Sequence, residues 1–579
     1  MREDNKKKSI LLAVLLALLC LLDACVFRPE PAKDEEGNVV FRLGFSGAPA
    51  SLNPYSVRDE EGEAVLSLLY DRLFEEDMTT GEIVGSLCLD YQVTPSRIGG
   101  MLWRIELRDD VYWHDGEKLT ASDVEFSLQS AKDLSVLYGY PCCEMLDTTG
   151  IAVEDDTHLA VVVWGEEAYV KQCLAGIPIL PRHIWNQPEY MRYNSSGVAA
   201  DPLRAREEAG RITPNAANMV GSGLYKWNGW NDGTCYLLLN RDYWNGTARA
   251  EAVELRFSLA DPAESLRAGE IDACWDASLQ QYQALWNDKE HHAASGAAGE
   301  LYLVYFNHGK AASPVRDVRV RSAVDCCVNR GQILLNAFGG GYARRTLLSP
   351  FSPWDYSNEL SSFRQNDISA AAALLESAGY RDIDGDGIRE TQDGKRLTLT
   401  LGFGSDVSAW EAAAQILADQ CRRAGIEIKL AAVSPSMLSE AMASGNCDAV
   451  LTSVQTRPEP WFSLGAFYWD QGNNDFSIPD GRGNSISPGW NECGYANATY
   501  DNAYRRLLAA SEAEAIRTAA RQAGDILYDD CAAVPIGCSV RYQAWSCVWY
   551  GVKTERSTGL AFTGASLPRQ LQGISAGGK

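Results

Sequence analysis

Residues 102–132 read LWRIELRDDVYWHDGEKLTASDVEFSLQSAK. Trp103, Ile105 and Leu107 alternate with Arg104, Glu106 and Arg108, and Val111 and Trp113 resume the same period of two beyond Asp109-Asp110. Such alternation marks a chain with one buried face, and the stretch reads as a hairpin. Asp115-Gly116 is a turn dipeptide. Thr120 or Ser122 then caps a helix that carries Val124, Phe126 and Leu128. Nothing here is a reaction centre, so the stretch predicts a well-specified hairpin and helix in a soluble domain.

Further segments extend outward in a fixed order: SLNPY (51–55), LLYDRLFE (68–75), ILPRHIW (179–185), VGSGLYKW (220–227), LNRDYWNG (239–246), VYFNH (304–308), VRDVRVRSAVDCCVNR (315–330) and AAALLESAGYRDIDGDGIRE (371–390). Together with residues 103–127 they resemble the signature of the extracellular solute-binding proteins of ABC transporters. The family in question contains the oligopeptide-, dipeptide- and nickel-binding proteins, and the resemblance covers nearly all of the chain after residue 38. It implies an α/β, periplasmic-binding-protein-like fold of two lobes with a hinge, plus a smaller third domain inserted in the first lobe. Lobe I is expected from residues 39–74, 206–295 and 534–579, the accessory domain from 75–205, and lobe II from 296–533. The implied function is capture of a solute between the lobes and its delivery to a membrane permease by a monomer, with no catalysis.

At the start, Lys6, Lys7 and Lys8 precede an apolar run from Ile10 to Leu22. A helix of that length rises only about 20 Å, short of a bilayer core. It reads as the core of a signal peptide, residues 1–24. Leu22-Asp23-Ala24-Cys25 resembles the lipobox of bacterial lipoproteins, which implies a lipid on Cys25 and an extracytoplasmic protein anchored to the cell membrane. Residues 25–38 contain Pro29, Pro31, Glu35, Glu36 and Gly37 and have too few apolar groups to pack, so they are expected to form a tether.

The chain carries a formal charge of −25. Removing residues 1–24 takes away Arg2 and three lysines against Glu3, Asp4 and Asp23, leaving about −26. A surface that binds nucleic acid needs clustered positive charge, so nucleic acid is excluded as a partner. A neutral or cationic solute fits more easily than a polyanion. The 16 cysteines include no CxxC, and Cys142-Cys143 and Cys326-Cys327 are adjacent. A chain of this length does not need staples, so between zero and two disulfides are expected, with most cysteines buried as small apolar residues.

Enzymatic signatures such as HExxH, GxxxxGK[ST] and GxGxxG are missing. Of the histidines, only His291 and His292 are close in sequence, and adjacent residues point to different sides of regular structure. Nickel or haem therefore has little support. Asp382, Asp384, Asp386, Ile388, Glu390 and Asp393 occupy positions 1, 3, 5, 7, 9 and 12 of a calcium-type loop, with Gly387 at the sharp turn. Position 12 is Asp rather than the longer Glu. The loop reads either as a structural Ca²⁺ site or as an acidic turn closed by Asx hydrogen bonds.

The remaining candidates concern the solute. The resemblance implies that Ser51, Leu52 and Asn53 lie at the mouth of the cleft, and that Tyr305 and Asn307 face it beyond the first strand of lobe II. That strand, Leu301–Phe306, reads as a central parallel strand buried on both faces. Asn307 has a second reading, as a cap of the strand-to-loop turn. In the peptide-binding members an Asp within W-x-x-D-Y-P-D-P holds the peptide amine; here Glu459-Pro460 stands nearest to it, and Thr456-Arg457 replaces the Asp-Tyr. Asp470 is a rival anchor, and Trp461 and Trp469 stand among aromatics that suit a ligand wall. A peptide is the expected solute. Tryptophan would equally stack on an oligosaccharide, and a sensory or adhesive lipoprotein without transport is a third reading.

Overall fold

The computed structural model describes residues 30–576 apart from 56–58, 98, 134–145, 164–166, 187–212, 353, 358–363, 365, 456–459, 469–477, 480–484, 487–490, 492 and 511. One 11-stranded sheet runs through the molecule. Its order is Glu427–Val433, Thr398–Gly404, Ala449–Gln455, His291–Phe306, Ala533–Ser546, Ala273–Ala277, Val40–Gly44, Ala252–Arg256, Thr234–Leu239 and Tyr225–Asn231, with the short strand Tyr342–Ala343 attached to Ala533–Ser546. The two long strands in the middle, His291–Phe306 and Ala533–Ser546, pair antiparallel from His291↔Ser546 to Tyr305↔Ala533. The α/β fold is thus two-lobed and periplasmic-binding-protein-like, and its lobes are joined inside strands rather than by linkers.

The expected parallel strand at Leu301–Phe306 is instead the end of a 16-residue strand, antiparallel to both neighbours. Its run of apolar residues reports burial on both faces and not strand sense. Leu301, Leu303 and Tyr305 enter one core, while Tyr302, Val304 and Phe306 enter another on the opposite face. Parallel pairing occurs further out, at Val40–Gly44 and Thr398–Gly404. A separate core fills the first lobe, with Phe41, Phe45, Trp275 and Trp549 fully buried.

The stretch at 102–132 also pairs differently. Met101–Leu107 buries Trp103, Ile105 and Leu107 on one face as its alternation requires. Its hairpin partner is the preceding strand Cys88–Pro95, and its other neighbour is His158–Val163. Val111 and Trp113 are buried from a tight turn closed by the Tyr112–Lys118 bridge, with Gly116 at φ 95°. Period-two burial therefore continued without a strand. Thr120 precedes the helix Ala121–Asp133, and Asp123 reaches back to its N–H at 2.8 Å. Leu146–Val153 completes this four-stranded accessory sheet.

The helical stretches around 317–337 and 501–527 are each built of two helices. Val318–Cys327 stops at Val328, and Asn329 caps a new helix, Arg330–Phe338, by accepting the Gln332 N–H at 3.1 Å. Ala498–Leu508 and Ala513–Asp529 are likewise separate. Helices Ile368–Ser377 and Ser408–Arg422 end ahead of Gly379 and Gly425, which take φ 92° and 87° as C-terminal caps require. Among the described residues every cysteine is a free thiol, and all but Cys547 are buried.

Candidate functional site

Where the accessory domain meets the first lobe, beside the crossing strands, lies a cavity of about 340 Å³. Helix Glu60–Leu69 forms one wall. Asp59 caps it by accepting the Gly62 N–H at 2.7 Å, and Glu60, Glu61 and Glu63 sit in its first turn, where the helix dipole favours negative charge. Ala64, Val65, Leu68 and Leu69 bury the inner face, and Glu60 and Glu63, one turn apart, line the cavity. The chain then passes through Arg72 to the strand Phe74–Glu76, with Leu73 and Phe74 buried behind while Glu75 and Glu76 join the lining. Gln172 comes from helix Glu167–Ala175.

The floor is built by the crossing strands. Pairing slips between Ala297↔Val540 and Leu301↔Cys538, and the bulge presents Ala297, Ala298 and Gly299 to the cavity. Residues 555–566 lie directly against it, because Ala297 N–H donates to Thr558 O at 2.8 Å. A Cβ on Gly296 would meet that same carbonyl at 2.4 Å, so this approach requires glycine. Buried Gln543 pins the segment, its Oε1 accepting the N–H groups of Ala561 and Phe562 at 2.9 Å each.

The lining is acidic, with Glu60, Glu63, Glu75, Glu76 and Glu555 against Arg72. Arg541 pairs with Glu60, Arg72 with Glu63, and Arg569 with Glu75. Glu555 is 7% exposed and accepts hydrogen bonds from the hydroxyls of Thr558, at 2.7 Å, and Thr563. Among the described residues no lysine or arginine forms an ion pair with it. Burial pushes the Glu63 carboxyl up, with Arg72 opposing. The Glu63 side chain is still 32% exposed, so water offsets part of that effect. Burial likewise raises the Glu300 carboxyl beyond the bulge, opposed by the Ser453 hydroxyl and reinforced by the charge of Glu60.

Among the described residues, Arg72 Nε, Gln172 Oε1 and Ser557 Oγ of the cavity lining are buried without a protein partner. Buried polar groups are nearly always satisfied, so these atoms are where water or a solute could complete the hydrogen bonding.

Among the described residues, those expected at the cleft do not line this cavity. Leu52 is in the core of the first lobe, and Asn53 is 1% exposed with its Oδ1 accepting the Tyr55 N–H at 3.0 Å. Ser51 Oγ accepts the Asn53 N–H at 3.1 Å. Tyr305 is buried with its ring 5.5 Å from Phe467. Asn307 donates to Met442 O at 2.7 Å and Cys447 O at 3.0 Å, and accepts from the N–H groups of Gly309 and Lys310. All four of these bonds close the strand-to-loop turn, as the capping reading expects. Glu459, Trp469 and Asp470 lie outside the described residues, as does Cys25; Trp461 lies in the helix Pro460–Gly465. In the acidic loop, Asp382, Asp384 and Glu390 converge. Asp386 instead pairs with Arg396, Asp393 accepts the Thr391 hydroxyl, and the Ile388 side chain is buried.

Residues 95–475, well over half of the chain, match the family model described as bacterial extracellular solute-binding proteins, family 5. The chain belongs to that family, whose members bind solutes rather than catalyse reactions, and it is a substrate-binding protein of the ABC-importer type. It is 25% identical over 465 residues to the oligopeptide-binding protein AppA of Bacillus subtilis, covering 77% of this chain and 80% of that one. The structure of that AppA in complex with a nonapeptide superposes with a TM-score of 0.65 at 20% identity, covering 95% of this chain and 100% of the other. NikZ from Campylobacter jejuni, solved with Ni(L-His), gives 0.66 at 20% identity over 93% and 99% of the two chains.

Proposed function

We propose that this protein captures short peptides with a free amino terminus, seats their amino-terminal end in this cavity, and hands them to the permease of an ABC importer while a lipid on Cys25 keeps it at the outer face of the cell membrane. The observation that carries the reading is the unfinished hydrogen bonding of the cavity. Arg72 Nε offers a donor for a peptide carbonyl, Gln172 Oε1 an acceptor for a peptide N–H, and Ser557 Oγ either role. Glu555, a carboxylate held by hydroxyls, supplies the charge that a terminal ammonium needs. The volume of 340 Å³ lies at the small end of the usual ~300–1,000 Å³ for ligand pockets, which favours a short peptide or one end of a longer one.

An oligosaccharide is less well supported, since among the described residues none that lines the cavity is aromatic and sugar rings bind by stacking on such faces. The relatives that bind peptides support the leading class. Calorimetry of residues 26–579 against a pool of di- to hexapeptides tests it. Heat from free-amine peptides and none from N-acetylated ones is the expected result. Heat from an oligosaccharide, with silence from every peptide, would sink it.

A further inference from the structure

Away from the cavity, residues 382–389 form a loop closed by Arg381 and Glu390, which exchange backbone hydrogen bonds at 2.9 and 2.7 Å. Its turns take Gly385 and Gly387 at φ 80° and 87°. The Asp382 carboxylate accepts the N–H groups of Gly385 at 2.8 Å and Gly387 at 3.1 Å, and Asp384 accepts that of Asp386 at 3.0 Å. These bonds fold the loop but do not use up its oxygens. Asp386 is turned toward Arg396 at 2.6 Å, and Asp393 toward Thr391, so neither faces the centre with the others.

Glu390 is the informative residue. It is 4% exposed, its Oε2 accepts the Ile383 N–H at 3.0 Å, and its Oε1 is buried with no protein partner. One oxygen from each of Asp382, Asp384 and Glu390 lies within 4.8 Å of the other two. Three carboxylates so placed repel one another, and the buried one lacks a hydrogen bond. A cation at their centre removes both penalties.

We propose that Asp382, Asp384 and Glu390 bind a calcium ion. The ligand atoms are all carboxylate oxygens, which select a hard cation over zinc or copper. Their places at positions 1, 3 and 9 of the loop follow the spacing that wraps calcium, while magnesium demands a more rigid octahedron and keeps its waters. The ion fastens the connection between helix Ile368–Ser377 and strand Thr398–Gly404. Arg389 carries that fastening to the neighbouring turn, its N–H donating to Gly425 O and its Nε to Ala424 O, both at 2.9 Å. The site is independent of the solute cavity, so the two stand or fall separately.

The test is calcium chloride titrated into the chelator-stripped full chain, followed by calorimetry and thermal unfolding. One calcium per chain is expected, with a Kd on the order of 10⁻⁴ M, as for extracellular modules, and a melting temperature that rises with calcium. Asp384 is exposed, so Asp384→Asn keeps the fold; it should weaken binding about tenfold or more, and Asp386→Asn about twofold at most. No heat and no shift in melting up to 10 mM calcium, or unchanged affinity in Asp384→Asn, would overturn the assignment.

Discussion

The end of the crossing strand at Asn307 and the wall of the cavity at Ser557 are both buried, polar and lined by loop backbone, yet they differ in one respect. Asn307 spends its donors and acceptors on four backbone groups of its own chain. Ser557, 3% exposed, has its hydroxyl satisfied by none. A buried polar residue that is fully bonded holds the fold, and one that is not is a place where a solute can earn its binding energy. Burial and polarity alone do not separate the two.

The largest effect should come from the saturated side. Asn307→Ala leaves two carbonyls and two N–H groups of the 307–310 and 442–447 turns unmatched, which should cost about 2–4 kcal/mol of stability in urea unfolding. Peptide affinity of the folded protein should stay within twofold. A loss of affinity without a loss of stability would return Asn307 to the ligand site and erase the contrast.

On the open side the signs reverse. Glu555→Gln keeps an acceptor for Thr558 or Thr563 but removes the charge, and should weaken a free-amine peptide by roughly tenfold while sparing its N-acetylated form. Equal losses for both peptides would mean that the carboxylate does not meet the amine. Ser557→Ala should leave the unfolding midpoint within about 0.5 kcal/mol of the parent, since no protein hydrogen bond is broken, and lower affinity about fivefold.

The smallest effect is a pH dependence. Burial holds the Glu63 carboxyl above its ordinary value of 4.5. The folded protein therefore binds more protons there than the unfolded chain, and this group's contribution to stability is full below pH 4.5 and lost as pH rises through its folded pKa. Binding of a cationic solute should move the other way, strengthening across the same window as Glu63 ionises. Affinity for a free-amine peptide that is flat from pH 4.5 to 7 would detach Glu63 from the solute.

The same distinction explains what could be read from the sequence. The period-two burial of Trp103, Ile105 and Leu107 was legible because it depends on local alternation, and so were the helix ends at Gly379 and Gly425, where a left-handed residue is needed. The pairing partner of that strand, and the antiparallel sense of Leu301–Phe306, depend on strands far away in sequence and leave no mark in the apolar pattern. In the cavity, Arg72, Glu75 and Glu76 follow an apolar helix as charges beside buried Leu73 and Phe74, a signal that something polar is being faced. Ser557 in the small, polar run ERSTG carried no such signal, because whether a hydroxyl is satisfied is decided only by what folds against it.

The most direct test is a crystal structure of the protein with a bound free-amine peptide. The peptide should lie in the cavity between helix Glu60–Leu69 and residues 555–566, with its ammonium about 3 Å from Glu555 and its backbone bonded to Arg72 Nε, Gln172 Oε1 and Ser557 Oγ. A peptide seated instead against Tyr305 and the 453–470 region, with those three atoms still unpartnered, would contradict the assignment of the site.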